Sequence, residues 1–305
     1  MLGSGPDGGD VLEMGPDKPR RGWAIGRRGR LALAGACALL VVGGVLVGLR
    51  LSSSGPSNPA LARLITEVTT VPVSEVGSGG AGSYWGSLPS SSSSAGSASS
   101  SSLLFEGSPS PTGPNGRPLL SGGKPEVLYV ATEYCPYCVA QSWPLIVALS
   151  HFGQFSGLST SRSPAFESIP PVDGWTFYGS SYKSPYLAFT PVETHSNVLV
   201  SPNANPADKT SYRSLQQLTT AEQAVFHQFD GGGETPFTDF GGQATATGTA
   251  IIPTTLAGLS WNQIAADLRR PASTAGAAIL FSAAALTAEL CQLTGNRPAA
   301  ACSKS

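Results

Sequence analysis

The sequence predicts an α/β domain set behind one membrane-spanning helix and a long serine-rich tether. Three observations carry that expectation. An unbroken apolar run, Val127 to Ala131, leads through Thr132-Glu133-Tyr134 into Cys135-Pro136-Tyr137-Cys138. A largely apolar helical stretch follows the second cysteine. Near the start of the chain, Leu31 to Leu49 runs nineteen residues without a charge.

Composition sets the outer bounds. A chain of 305 residues holds one large domain or two small ones. Gly 37 and Pro 25 with 12% charged residues point to a loop-rich fold plus linker and away from a helical bundle. The net charge of −1 leaves no basic footprint for nucleic acid. The five cysteines fall into Cys37 alone, Cys135 with Cys138, and Cys291 with Cys302. Setting Cys37 aside leaves an even four, as expected in an oxidising compartment.

Residues 1–30 are polar and Gly/Pro-containing, with a basic excess in Lys18, Arg20, Arg21, Arg27, Arg28 and Arg30, and are expected to be a disordered tail. As a helix, 31–49 would reach roughly 28 Å, close to the hydrocarbon thickness. The positive charges before it place the N-terminus in the cytoplasm and everything after Arg50 outside. A cleaved signal peptide is the alternative, with Pro59-Ala60-Leu61-Ala62 offering small residues. The apolar run is longer than a usual signal core, and Arg27-Arg28 is a poor twin-arginine match. Either version puts the paired cysteines outside the cytoplasm.

Residues 50–117 are expected to be an extracytoplasmic linker. Within them, Leu61 to Val76 is rich in Thr and Val and reads as a candidate strand of the later domain, over 60–78. From Gly77 to about Gly123 serine, glycine and proline dominate, with a serine tract at Ser90 to Ser102. Such a segment buries too little apolar surface to order itself and, at about 45 residues, would span roughly 35–40 Å as a coil.

The domain proper is expected over 118–305. Val127 to Ala131 reads as a central strand buried on both faces. Val139 to Phe152 reads as a buried helix, interrupted by Pro144. Residues 155–174 and 196–212 read as loops, and Trp175 to Tyr178 and Tyr186 to Val192 as strands. Thr219 to Glu222 fits a capping box that opens a helix through Phe229. Thr235 to Phe240 and Ala244 to Ile251 read as a hairpin about Gly241-Gly242. Ser260 to Gln263 is a second capping box, and Ser273 to Thr294 a last, Ala-rich helix.

Two cysteines separated by two residues at a strand-to-helix junction suit reversible thiol–disulfide exchange. A sulfur at a helix N-terminus meets unpaired N–H groups and the positive end of the macrodipole, which favour thiolate. Pro136 suits the first helical turn, where its missing N–H loses nothing. Cys135 is then the exposed attacking sulfur and Cys138 the resolving one. A zinc site would need more ligands at short spacing, and covalent haem a His where Val139 stands. His151 lies thirteen residues beyond Cys138 on the same helix, roughly 20 Å away and too far for a Cys–His hydrolase. His195 and His227 read as structural or surface residues. Asp230, Glu234 and Asp239 lack the ligand order of a calcium loop and read as turn residues. No metal or cofactor is implied. Cys291 and Cys302 are expected to form a structural disulfide around Pro298, closing a loop worth about 3 kcal/mol; a second redox relay is the alternative.

The segments Lys124 to Tyr129, Glu133 to Cys138, Leu145 to Phe155, Pro236 to Gly241, Trp261 to Leu268 and Cys291 to Gly295 with Cys302 resemble a family of archaeal and actinobacterial thioredoxin-like proteins known as a domain of unknown function. The likeness covers most of 118–302 and extends to 60–78. It implies a thioredoxin-like fold with insertions, a membrane tether and redox chemistry, but no substrate. The wider superfamily carries a cis-proline facing its cysteine pair. Pro236, with Thr235 before it and a hairpin after it, matches better than Pro253. Thr235 would then offer its backbone to a substrate beside Cys135. Departures are also visible: Tyr129 stands where thioredoxin has a buried acid, Tyr134 replaces Trp, and Pro136-Tyr137 is the glutaredoxin dipeptide without identifiable glutathione-binding residues. Glu133, close to Cys135, reads as a solvated surface acid.

The functional expectation is a membrane-anchored, extracytoplasmic thiol–disulfide oxidoreductase acting through Cys135 and Cys138, supported by Pro136, Tyr137, Thr235 and Pro236. Its partners would be thiol-containing secreted or membrane proteins, with a membrane redox partner as a further candidate. Oxidation is favoured over reduction by the Pro-Tyr dipeptide and the external location. The alternative is a non-catalytic tethered scaffold in which both cysteine pairs are structural.

Overall fold

The computed structural model describes residues 58–78, 118–165, 169–230 and 233–302. The expected tail (1–30), membrane span (31–49) and serine tract lie outside the described residues. Within them the chain is a mixed α/β fold of seven α-helices and eleven strands, several of them short.

The centre is strand β2 (Lys124–Ala131), whose residues from Val127 onward are buried on both faces. It is introduced by the short β1 (Leu120–Ser121). On one side β2 pairs in parallel with β7 (Ala188–Glu193), Ala131 opposite Glu193. On the other it pairs antiparallel with β10 (Phe237–Phe240), which turns back into β11 (Ala244–Thr247). The spatial order is therefore β7–β2–β10–β11. Gly241 and Gly242 hold positive φ angles of 65° and 70° in the β10–β11 turn, backbone that side-chain-bearing residues rarely adopt.

Helices cover both faces. Val127, Tyr129 and Ala131 point into a core with helix α3 (Pro136–Ser150) and helix α6 (Thr274–Leu293). Leu128 and Val130 point the other way, onto Val225 and Phe226 of helix α4 (Thr220–Asp230). The alternation along one strand thus assigns each face its helix. Helix α4 begins with the expected capping box: the Thr219 N–H donates to Glu222 Oε2 at 2.6 Å, and the Glu222 N–H to Thr219 Oγ1 at 3.3 Å. Helix α5 (Trp261–Asp267) opens likewise, the Ser260 N–H donating to Gln263 Oε1 at 2.9 Å. Among the described residues α6 is the one helix long and apolar enough to cross a membrane, and most of it is buried inside the fold.

Three expectations are corrected. Residues 60–78 form no strand: they are helix α1 (Pro59–Thr69) and the short α2 (Val73–Ser78). The Asn58 side chain caps the first turn and Pro59 stands at its first position, while Leu64 and Val68, four residues apart, are buried. One-sided burial at helical spacing overrides the strand preference of Thr and Val. This segment belongs to the folded body and not to the linker: His151 Nε2 lies 2.9 Å from the Val71 carbonyl oxygen, and Arg269 Nη2 donates to Thr70 Oγ1 at 3.1 Å.

The stretch 155–174, read as loop, carries most of β3 (Gln154–Ser156), β4 (Ser159–Arg162) and the start of β5 (Asp173–Thr176). Strand β3 pairs with β6 (Ser181–Lys183) and β4 with β5. The stretch 196–212 carries β8 (His195–Leu199) and the start of β9 (Tyr212–Ser214), an antiparallel pair. These strands run three to five residues and are mostly polar, so no apolar alternation announced them.

Candidate functional site

Cys135 is the N-cap of α3, with extended backbone (φ −84°, ψ 118°), and Pro136 stands at the first helical position. The Cys138 N–H donates to Cys135 Sγ at 3.4 Å, so the sulfur occupies the place a capping oxygen normally takes. Cys135 is half-buried, and Cys138, one turn on, is buried; both are free. Their environments drive the two thiols apart. The hydrogen bond from the Cys138 thiol, followed by the N–H groups of Cys138 and Tyr137, pulls the Cys135 thiol below its usual range against the opposing effect of burial. Burial first, then the interaction with Cys135, pushes the Cys138 thiol well up.

The last residues before β10 close the site from the opposite side. Among the described residues the cis peptide bonds are Thr235–Pro236 and Arg297–Pro298. The Thr235 carbonyl oxygen lies 3.7 Å from Cys135 Sγ, across a hundred residues of chain. Pro253 instead sits buried at the start of a 3₁₀ turn, Pro253–Thr255. The structure thus brings Cys135, Cys138, Pro136, Tyr137 and Thr235-Pro236 together. Pro136 is buried, whereas Tyr137 is 41% exposed at the rim.

Helix α3 is held at this angle by β5. A Cβ on Gly174 would stand 2.5 Å from the Val139 carbonyl oxygen, so only glycine permits the approach. Ser142 Oγ accepts the Trp175 N–H at 3.0 Å, and Trp143 Nε1 donates to the Asp173 carbonyl at 2.9 Å. A buried polar stitch at each step fixes the helix that presents the cysteines.

Around the pair lies a shell that sequence reasoning did not assemble. Tyr129 donates its hydroxyl to the Cys138 carbonyl at 3.2 Å, at the position where the resemblance expected an acid. Tyr134 stacks on Tyr212 of β9 at 4.3 Å between ring centroids and meets His195 edge-on at 6.2 Å. The Glu133 N–H donates to the His195 carbonyl at 2.9 Å, and its Oε2 accepts the Asn197 N–H at 3.3 Å. Glu133 is therefore a half-buried tie between the cysteine loop and β8, not the solvated acid expected.

Glu193, the last residue of β7, is 3% exposed on the face that carries α3. Its Oε1 accepts the Phe177 N–H at 3.0 Å. Burial, followed by the neighbouring Glu133 carboxylate and Cys135, pushes its carboxyl up to about 7. The sequence reading ended this strand at Val192. The available signal was parity: Phe189, Pro191 and Glu193 share one face, and an acid on a core face is an exception that asks for a reason.

The remaining residues singled out from the sequence have other partners. Cys291 near the end of α6 and Cys302 in helix α7 (Ala299–Cys302) are joined by a disulfide, S–S 2.10 Å and Cα–Cα 5.5 Å. His151 ends α3 against Val71, as given above. Asp239 is buried in β10, where its Oδ1 accepts the Gly242 N–H at 2.8 Å and shapes the turn. Among the described residues no three His, Cys, Asp or Glu side chains cluster as a metal site.

Fold and site together define an α/β domain that presents a Cys-x-x-Cys pair at a helix N-terminus. Residues 114–292 match the family model described as a domain of unknown function, DUF929, and the chain belongs to that family. No curated protein and no solved structure matches the chain.

Proposed function

We propose that the protein is a thioredoxin-like thiol–disulfide oxidoreductase, tethered to a membrane through residues 31–49 with its domain outside the cytoplasm. The observation that carries this reading is the unequal thiol pair at the start of α3: one sulfur half-exposed and acidified, its partner buried one turn away. The sheet order β7–β2–β10–β11, with α3 and α6 on one face and α4 on the other, supports a thioredoxin-like arrangement. The Cys291–Cys302 disulfide supports an oxidising compartment.

In the exchange, the Cys135 thiolate attacks one sulfur of a protein disulfide. A mixed disulfide forms and the other substrate sulfur leaves as a thiolate. Cys138 then attacks Cys135, closing the intramolecular disulfide and releasing the second substrate thiol. The reverse sequence donates a disulfide to a reduced protein. External placement and the Pro136-Tyr137 dipeptide favour that donating direction, toward secreted or membrane proteins.

Replacing the resolving cysteine tests the reading. The variant Cys138→Ala should accumulate mixed disulfides through Cys135 with a disulfide-bearing unfolded protein. A tethered scaffold with an inert pair would accumulate none, and that result would end the enzymatic reading. The reduction potential then gives the direction: near the thioredoxin value of about −270 mV for a reductase, well above about −200 mV for a disulfide donor.

A further inference from the structure

Two pieces of chain, distant in sequence, build the cysteine site. Helix α3 supplies Cys135 and Cys138, and the Thr235–Pro236 peptide, a hundred residues on, faces them. At 3.7 Å the Thr235 carbonyl is a long contact for Cys135 Sγ and orders neither piece by itself. The tie that sets their spacing lies behind the mouth of the site, at a buried amide.

We infer that Gln141 is a positioning residue of the exchange site: through Thr249 it clamps the Thr235–Pro236 peptide against α3 and so sets the slot that a substrate disulfide enters. The inference rests on the exchange chemistry of the preceding section.

The geometry is a closed circuit. Gln141 stands on α3 one helical turn beyond Tyr137 and is 4% exposed. The Thr249 hydroxyl donates to Gln141 Oε1 at 2.7 Å. The adjoining Gly248 N–H donates to the Pro236 carbonyl at 2.7 Å, one step past the pairing of Phe237 with Thr247 in the β10–β11 ladder. Thr235, bonded to Pro236, returns to the sulfur of Cys135, the N-cap of the helix that carries Gln141.

The chain beyond Thr249 is seated separately. The Thr249 hydroxyl, while donating to Gln141, accepts the Ile251 N–H at 3.1 Å. Ile251 is fully buried in the core with α3 and α6, and Pro253 after it is buried as well. The segment therefore stays on the body without the clamp, and the Gln141–Thr249 bond sets how closely the end of β11 lies on α3. A buried amide needs a hydrogen-bond partner whatever its task. Here the partner is next in sequence to the residue that holds Pro236, so a displacement of Thr249 passes directly to the peptide facing Cys135.

Two properties of the site depend on that spacing. The Thr235 side chain is among the groups that favour thiolate at Cys135. A substrate sulfur must also reach Cys135 in the gap between α3 and Thr235–Pro236, aligned with the bond that breaks. Opening the clamp weakens both.

The test compares wild type with Gln141→Leu, Thr249→Val, Thr249→Ser and the double variant Gln141→Leu/Thr249→Val. Valine keeps the shape of threonine without its hydroxyl, and serine keeps the hydroxyl. Alkylation of Cys135 by a small reagent is followed against pH, with the modified cysteine located by mass. Its midpoint should rise by about half a unit in Gln141→Leu and Thr249→Val and stay unchanged in Thr249→Ser. At about pH 9, where Cys135 is thiolate in each protein, attack on a disulfide-bearing peptide should be at least about threefold slower in the same two variants. Alkylation by the small reagent at that pH should be unchanged, which separates the slot from the acidity. The double variant should match either single one, because the two residues form one link. Urea unfolding shows which variants are folded. If Gln141→Leu is not, Thr249→Val, at a half-buried position, carries the comparison with Thr249→Ser. A wild-type midpoint and peptide rate in Thr249→Val, or effects that add in the double variant, would overturn the inference and leave the exchange reading standing. Absence of mixed disulfides in Cys138→Ala would remove the exchange reading, and the alkylation midpoints would still decide whether Gln141 and Thr249 act on Cys135.

Discussion

Cys135 and Cys138 are the same amino acid, three positions apart, with opposite thiol acidities. One accepts N–H groups at a helix start, and the other is enclosed by α3 and the sheet. Glu193 shows the same dependence on surroundings and yields a stability prediction. Its ordinary value is 4.5, and in the fold it is held at about 7, chiefly by burial. Between these values the folded protein keeps a proton that the unfolded chain has released. The associated stability is full below about 4.5 and is lost as pH rises to about 7, amounting to about 3 kcal/mol. Asp239, pushed up to about 6 by burial and secondarily by Glu126, adds a loss of the same sign. Urea unfolding at pH 4.5, 6 and 8 should show wild type losing about 3 kcal/mol relative to Glu193→Gln across that range. A constant difference between the two proteins would contradict the burial argument.

At the scale of elements, the helical pair at 58–78 carries the sharpest prediction. Val68 is fully buried in the core shared with α3 and α6, and α1 is fixed to the body through Thr70. An unpaired carboxylate placed there by Val68→Asp should cost more than about 3 kcal/mol and lower the urea midpoint of the whole domain. An unchanged midpoint would mean that α1 is an appendage. This element also marks where the sequence could be read and where it could not. Strand β2, the cysteine helix, α4, the β10–β11 hairpin and α6 are long, strongly patterned or capped, and each was expected within a few residues. The Thr and Val residues of helix α1 speak locally for extension, whereas its helicity comes from what Leu64 and Val68 bury. Strands β3, β4, β8 and β9 are short and polar, their order set by pairing and by contacts such as Tyr134 on Tyr212. At the site, Cys135, Cys138 and Thr235-Pro236 were legible because motif and turn chemistry point to them. Glu193 was not, because only the parallel pairing of β7 with β2 brings it to the face that carries α3.

Across the whole molecule, two cysteine pairs divide the labour of holding and reacting. Cys291–Cys302 closes a loop between α6 and α7, remote in sequence from the exchange motif. Replacing both by Ser should lower stability by about 3 kcal/mol and leave thiol exchange at Cys135 intact below the unfolding transition. Loss of exchange in a variant that still folds would instead support the relay role weighed above for that pair. The interior of the sheet is equally divided: one face supports the reactive helix, and the other packs against α4, away from the sulfurs.

The central claim is that the fold makes one sulfur acidic and reachable while keeping its partner closed. The most direct measurement is alkylation of the reduced protein as a function of pH, with the modified cysteine located by mass. The account predicts modification at Cys135 alone, with a midpoint clearly below the ordinary thiol value of about 8.5. A midpoint at or above that value, or equal modification of Cys135 and Cys138, would contradict it.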